Sequence, residues 1–229
     1  NRTLPARELW EAIATAAWAS ADPGLHFSGT IDEWHTCPED GAITASNPCS
    51  EYLFVNNTAC NLASVNLLKC LRINPDNGKR EMYAPLLQHL ALLWTMILDI
   101  TVSMAGYPTP ELAINSARYR TLGLGMANLG AVLMQSGLPY GSPEGLALGR
   151  ALAAILNATA YNTSARLAAS LAPHDAYEAN KTHALRVLHN HRAAALRDLR
   201  ASQDALRTDN LITSLGLCPR SGSDADPHE

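Results

Sequence analysis

Asn47, Cys49 and Glu51 place an amide, a thiol and a carboxylate at alternate positions around a proline, in the run Asn47-Pro48-Cys49-Ser50-Glu51. Proline excludes helix here, and side chains two residues apart on an extended backbone share a face. The spacing therefore predicts that the three groups point one way while Pro48 and Ser50 point the other. A carboxylate beside a thiol disfavours thiolate, which argues against ordinary nucleophilic catalysis, where a histidine or a helix N-terminus is the expected neighbour. A neutral thiol that yields a hydrogen atom, next to a carboxylate that moves a proton, suits homolytic chemistry instead, with Asn47 orienting a substrate by hydrogen bonds. On these five residues alone, a small buried Cys49 with no chemical role is an equal reading.

The other cysteines, Cys37, Cys60, Cys70 and Cys218, bring the total to 5, an odd number without a CxxC pair. That pattern fits neither a zinc site nor a secreted disulfide framework, so no metal is expected. Cys37 near His35 reads as structural. Asn-x-Ser/Thr sequons begin at Asn1, Asn56, Asn157, Asn162 and Asn180 and carry no weight without a secretory signal. The chain opens with no charged segment followed by an apolar one, so a cytoplasmic protein is expected.

The elements that must position the trio can be read from pattern. Leu9, Trp10, Ile13, Ala17 and Trp18 recur at helical spacing from about Leu4 to Ser20, and Asp22-Pro23-Gly24 ends the pattern. From Leu25 to Leu71 that period vanishes; Tyr52–Val55 and Ser64–Leu68 read as strands, so the trio lies in a loop-and-strand stretch. Asn74-Pro75-Asp76-Asn77-Gly78 predicts a turn. Met82 to Met104 is apolar and helical, but Gln88, His89 and Asp99 interrupt it, so it reads as a buried core helix and not a membrane span. Gly123-Leu124-Gly125 lacks the third glycine and the preceding strand of a dinucleotide fold, and close helix packing at small residues explains it better. Ser142-Pro143-Glu144 opens an Ala-rich helix to about Leu171, and another helix is expected from Tyr177 to about Arg197. His183, His189 and His191 on that last helix are expected to face solvent, and Arg118 and Arg120 are open to either a phosphate or a surface role. The segment Ser221 to Pro227 is polar and reads as a frayed tail.

With 229 residues, 47% of them hydrophobic, the chain can bury a substantial core, and its net charge of -4 carries no basic stripe for nucleic acid. No nucleic-acid or membrane partner is expected.

Three blocks sharpen the chemistry: Trp34-His35-Thr36-Cys37-Pro38, Ala45 to Tyr52, and Thr58 to Leu67. With Tyr107-Pro108-Thr109-Pro110 and Arg120 to Gly130, they resemble the adenosylcobalamin-dependent (class II) ribonucleotide reductases over roughly Arg2 to Arg192. The resemblance implies an α/β fold, a fragment of the family's ten-stranded α/β barrel that is helix-rich in its C-terminal half. Residues 1–197 would belong to the barrel and 198–229 to a divergent, poorly ordered tail. It implies that Cys49 becomes a thiyl radical that abstracts the 3′ hydrogen of a ribonucleotide, and that Glu51 takes the 3′ hydroxyl proton. Ser46, Asn47 and Glu51 would contact the substrate, and Cys60 would be one member of the dithiol that supplies electrons.

The implied cofactor is adenosylcobalamin; the implied partners are a ribonucleotide, a thioredoxin-type or dithiol reductant and a second copy in a homodimer. The activity implied is that of a vitamin B12-dependent ribonucleoside-diphosphate reductase. The family is much longer, with a second redox cysteine upstream and a phosphate-gripping loop downstream, so this stretch is expected not to turn over alone. A non-catalytic helical remnant and a class I large-subunit fragment are the alternatives.

Overall fold

The computed structural model describes residues 3–76, 78 and 80–206. Helix α1 (Ala6–Ser20) ends where Ala21 turns left-handed, at φ 66°, and returns its N–H to the Ala17 carbonyl. Its apolar positions Leu9, Trp10 and Trp18 all remain exposed. A short helix α2 (Ser28–Glu33) and a 3-10 turn (Pro38–Asp40) lead to the loop that carries the trio.

The centre of the fold is a parallel pair, β1 (Asn61–Asn66) and β4 (Leu122–Ala127), in register from Asn61 opposite Leu122 to Asn66 opposite Ala127. Parallel neighbours need a long crossover, and helices α3 (Ala84–Met104) and α4 (Pro110–Tyr119) supply it. Between β1 and α3, a 3-10 turn (Leu67–Cys70) precedes a small antiparallel hairpin of β2 (Leu71–Ile73) and β3 (Arg80–Met82), closed over the predicted Asn74–Gly78 turn. Asn74 there accepts from the N–H of Asp76, an Asx turn.

Helix α3 packs one face, through Leu87, Ala91, Thr95, Leu98 and Val102, on the strand pair and on α6 (Pro143–Leu171). The spacing of those residues is the buried stripe of an amphipathic helix. Its opposite face exposes Leu93, Met96 and Ile100, so the expectation of a buried core helix holds for one face only. By length and composition alone α3 could also cross a membrane. Helix α6 starts as expected, with Ser142 Oγ accepting from the Gly145 N–H and Pro143 at the first position. The main core joins Val65, Leu67 and Cys70 to Met82, Leu87, Leu148 and Leu152, with Val132 and Leu133 added from α5 (Leu129–Gln135). Helix α7 (Tyr177–Leu206) lies along α6 and extends past the Arg197 boundary expected from the sequence.

Among the described residues the strands form one parallel and one antiparallel pair, which supports the α/β class expected of a fragment of a ten-stranded barrel. A lone parallel pair leaves both outer edges open, and closure would need further strands on each. Gly123 and Gly125 lie inside β4 instead of at a helix contact; a Cβ on Gly123 would come within 2.8 Å of Cys60 Sγ. The close approach that requires glycine is between strands. Cys218 and the segment Ser221 to Pro227 lie outside the described residues.

Candidate functional site

The trio sits on a tight turn, not an extended strand. Ser46 and Leu53 form an isolated antiparallel bridge, and inside it the Asn47 N–H donates to the Tyr52 carbonyl at 3.3 Å. The Ser50 N–H then returns to the Asn47 carbonyl at 3.1 Å, which makes Pro48 and Cys49 the two central residues of a β-turn. Proline sets the first central φ that this turn needs, and Ser50 leaves it left-handed at φ 64°. The prediction that Asn47, Cys49 and Glu51 alternate on one face is therefore corrected: the proline builds a reversal. Cys49 is exposed at its apex, with Glu51 exposed just beyond.

Asn47 is half-buried, and its Oδ1 accepts from the Tyr52 N–H at 3.0 Å, so its carbonyl oxygen braces the turn. Ser46 Oγ donates to the Asn47 carbonyl at 2.8 Å and lies 3.2 Å from His26 Nε2, which also reaches Ser50 Oγ at 3.0 Å. His26, absent from the sequence argument, braces the turn from outside; it is 20 residues from Ser46 and carries no local signal.

Cys60 directly precedes β1 and is half-buried. Burial pushes its thiol up, and the Glu51 carboxylate pushes in the same direction. The field of Glu51 thus reaches Cys60, connecting the turn to the strand start. Tyr52, next to Glu51 in the chain, donates from its phenol to Thr58 Oγ1 at 2.8 Å and lies 3.0 Å from Thr121 Oγ1. Burial raises the Tyr52 phenol, against the lowering effect of these two hydroxyls.

Behind the turn, Phe54 packs edge-on against His35, with ring centroids 5.8 Å apart, and against Tyr119 at 5.2 Å. Cys37, Val55 and Ala176 complete this second core, the structural place expected for Cys37. His35 accepts from the Cys37 N–H at Nδ1, so Nε2 carries the hydrogen that reaches the Gly41 carbonyl at 2.8 Å. Asn180, 0% exposed, locks helix α7 to this base: Oδ1 accepts from the Glu39 N–H at 3.0 Å and Nδ2 donates to Asp40 Oδ2 at 2.6 Å.

Arg118 pairs with Asp40, and Arg120 donates to Asp99 Oδ1 at 2.8 Å and to the Asp99 carbonyl at 2.6 Å. Both guanidiniums are thus engaged within the chain. His183 meets Glu39 at 3.1 Å, whereas His191 lies between the rings of Trp34 and Tyr161, where burial lowers its pKa. The solvent-facing expectation fails for His191, because the aromatic neighbours come from distant elements. Cys70 is buried in the main core. A cavity of about 500 Å³ between α3, β4 and α6 is lined by Leu98, Arg120, Met126, Asn157 and Tyr161 among others, and by none of Ser46, Asn47, Cys49, Glu51 or Cys60. The turn, not this cavity, carries the thiol and carboxylate singled out from the sequence.

Residues 1–217 match the family described as "Ribonucleotide reductase, barrel domain". A vitamin B12-dependent ribonucleotide reductase of Bradyrhizobium diazoefficiens is 49% identical over 220 residues, covering 96% of this chain and 17% of that protein. The enzyme of the same name from Agrobacterium fabrum is 50% identical over 194 residues, 85% of this chain and 15% of its own length. That from Streptomyces coelicolor is 44% identical, over 82% of this chain and 19% of its own. The chain therefore spans less than a fifth of the length of these relatives.

Proposed function

This chain belongs to the ribonucleotide reductase barrel-domain family, and from that premise we propose that it carries the radical centre of a B12-dependent enzyme that reduces ribonucleotides to 2′-deoxyribonucleotides. The observation that carries the reading is the turn itself, which sets Cys49 at its second central position with Glu51 just after it, while the half-buried Cys60 stands at the start of β1.

In this reading Cys49, as a thiyl radical, takes the 3′ hydrogen atom and becomes a thiol. Glu51 accepts the 3′ hydroxyl proton, which eases departure of the 2′ hydroxyl as water. Cys60 and a second thiol, which the resemblance places upstream, become a disulfide; their two hydrogens end in the departing water and at C2′. Cys49 then returns a hydrogen atom to C3′, Glu51 returns its proton to the 3′ oxygen, and the radical is again on sulfur. Asn47 and Ser46 hold the turn and face the sugar. A ribonucleoside diphosphate as substrate, a thioredoxin-type reductant, a homodimer and a cytoplasmic setting complete the proposal.

Cys49, the second central residue of the turn, is the residue that would face the radical source. Adenosylcobalamin, when bound, supplies the initial radical by homolysis of its cobalt–carbon bond. The test is deoxyribonucleotide formation by the complete enzyme with ribonucleotide, adenosylcobalamin and a dithiol. Product that requires all three is expected; product formed equally well without the cobalamin would refute the reading.

A further inference from the structure

The hydroxyl of Tyr52 is where the Cys49 turn meets the strand start that carries Cys60. We propose that Tyr52 is a positioning residue whose phenol hydrogen holds these two segments at a fixed separation; the inference rests on the reading of Cys49 and Cys60 as the working thiols.

Tyr52 is anchored to the turn through its backbone, which exchanges hydrogen bonds with Asn47: its N–H donates to Asn47 Oδ1 and its carbonyl accepts from the Asn47 N–H. Its ring leans on Phe54, with centroids 6.2 Å apart. At the far end, Tyr52 Oη, Thr58 Oγ1 and Thr121 Oγ1 meet, with Tyr52 at 2.8 Å and 3.0 Å from the two threonines. The Thr58 hydroxyl donates to the Val55 carbonyl at 2.7 Å, and the Thr121 hydroxyl donates to the Ala59 carbonyl at 2.6 Å. Each of the three hydroxyls has one hydrogen: both threonines commit theirs to carbonyls, and the phenol gives its own to Thr58 Oγ1, so Thr121 Oγ1 rests against the phenol oxygen.

The junction bears directly on Cys60. Ala59, whose carbonyl Thr121 holds, is the residue before Cys60, and Thr121 is the residue before β4. One strand position further, Gly123 leaves the space beside Cys60 Sγ open. Tyr52 thus ties the Cys49 turn to Thr58, just before Cys60, and sets its phenol oxygen against Thr121, which holds the carbonyl of the residue preceding Cys60.

Tyr52→Phe in the complete enzyme keeps the ring and removes the hydroxyl, and with it the hydrogen bond to Thr58 Oγ1. In cofactor-free enzyme, alkylation followed cysteine by cysteine should show Cys60 reacting about fivefold faster, the change that one net hydrogen bond produces, with Cys37 and Cys70 as protected as before. In the loaded enzyme, the 3′ hydrogen abstracted per deoxynucleotide formed should rise, because abstraction uses Cys49 whereas reduction needs Cys60 in place. Thr58→Val, which removes the acceptor of the phenol hydrogen, should reproduce both effects, and Thr58→Ser, which keeps it, should behave as wild type. Unchanged Cys60 alkylation, or an equal fall in abstraction and reduction, overturns the positioning role. Should Cys37 and Cys70 lose protection in Tyr52→Phe, the Thr58 pair decides: serine and valine behaving alike overturns the proposal. The alkylation result needs no turnover, so it stands apart from the reductase reading, which instead fails if Cys49→Ser still reduces substrate.

Discussion

Replacing Gly123 by alanine should damage Cys60 far more than it damages the fold. An added Cβ would lie 2.3 Å from Leu62 Cδ2, 2.8 Å from Cys60 Sγ and 3.4 Å from the Asn61 carbonyl. The nearest clash is the cheapest to relieve, because Leu62 is 65% exposed and its terminal methyl can swing into solvent. The sulfur is different: it is roughly 0.6 Å or more inside normal contact distance, so the thiol must retreat by that amount or change rotamer. A rotamer change or modest overpacking costs about 1–3 kcal/mol, and the lost flexibility of glycine in the unfolded chain offsets about 0.4–1 kcal/mol of it. A net loss of roughly 0.5–2 kcal/mol should lower Tm by only about 2–6 °C in a domain of this size. Misplacement of a reacting group on the order of 1 Å, by contrast, can cost about a hundredfold in rate. Thermal unfolding, steady-state reduction with a dithiol, and 3′ hydrogen abstraction should be measured together in the complete enzyme. Reduction should fall at least tenfold while abstraction and Tm change little. Unchanged reduction, or abstraction lost in the same proportion, would show that Cys60 does not depend on the space beside Gly123.

Three further outcomes are expected. Asn180→Ala removes a fully buried side chain that satisfies the Glu39 N–H, the Asp40 carboxylate and the Ala176 carbonyl, and should cost about 3–5 kcal/mol, one of the partners being charged; a urea midpoint shift equivalent to less than about 1 kcal/mol would contradict the network's role. Glu51→Gln removes the second of the two influences that raise the Cys60 thiol, so the pH profile of Cys60 alkylation should move to lower pH, and an upward move would be inconsistent with the geometry. Mild acid should destabilise the fold. Burial lowers the pKa of His174 and His191 below the unfolded value, so the unfolded state takes up protons first and the histidine contribution is lost as pH falls below about 6.5. Glu81, lowered chiefly by Asn74 and also by Arg72, adds stability above its unfolded pKa that is lost at still lower pH, as it falls through the depressed folded value; an unfolding free energy that rises on acidification from pH 7 to 5 would contradict this sign.

Local chemistry in this chain was legible wherever neighbours in sequence decide the outcome. Ser142-Pro143 announced the start of α6, Asp22-Pro23-Gly24 followed the end of α1, and Asn74 to Gly78 turned the β2–β3 hairpin. Pro48 misled because it is compatible both with an extended strand and with the first central position of a turn; the Ser50-to-Asn47 hydrogen bond selects the turn. Two glycines hid β4, since glycine is poor in strands and the need for Gly123 arises from Cys60, far away in sequence. The candidate reactive residues could be named because a short motif carries them. What holds them could not: Tyr52 with Thr121, Asn180 with Asp40, and His26 with Ser46 all pair across long sequence separations.

The central claim is that Cys49 performs the hydrogen abstraction. Cys49→Ser in the complete enzyme, supplied with ribonucleotide tritiated at the 3′ position, tests it most directly when nucleotide binding is measured on the same sample. Binding within about twofold of wild type and no abstraction above background are expected, because serine keeps the turn and its O–H bond is too strong to yield a hydrogen atom. Continued loss of tritium or continued deoxynucleotide formation in that variant would contradict the account.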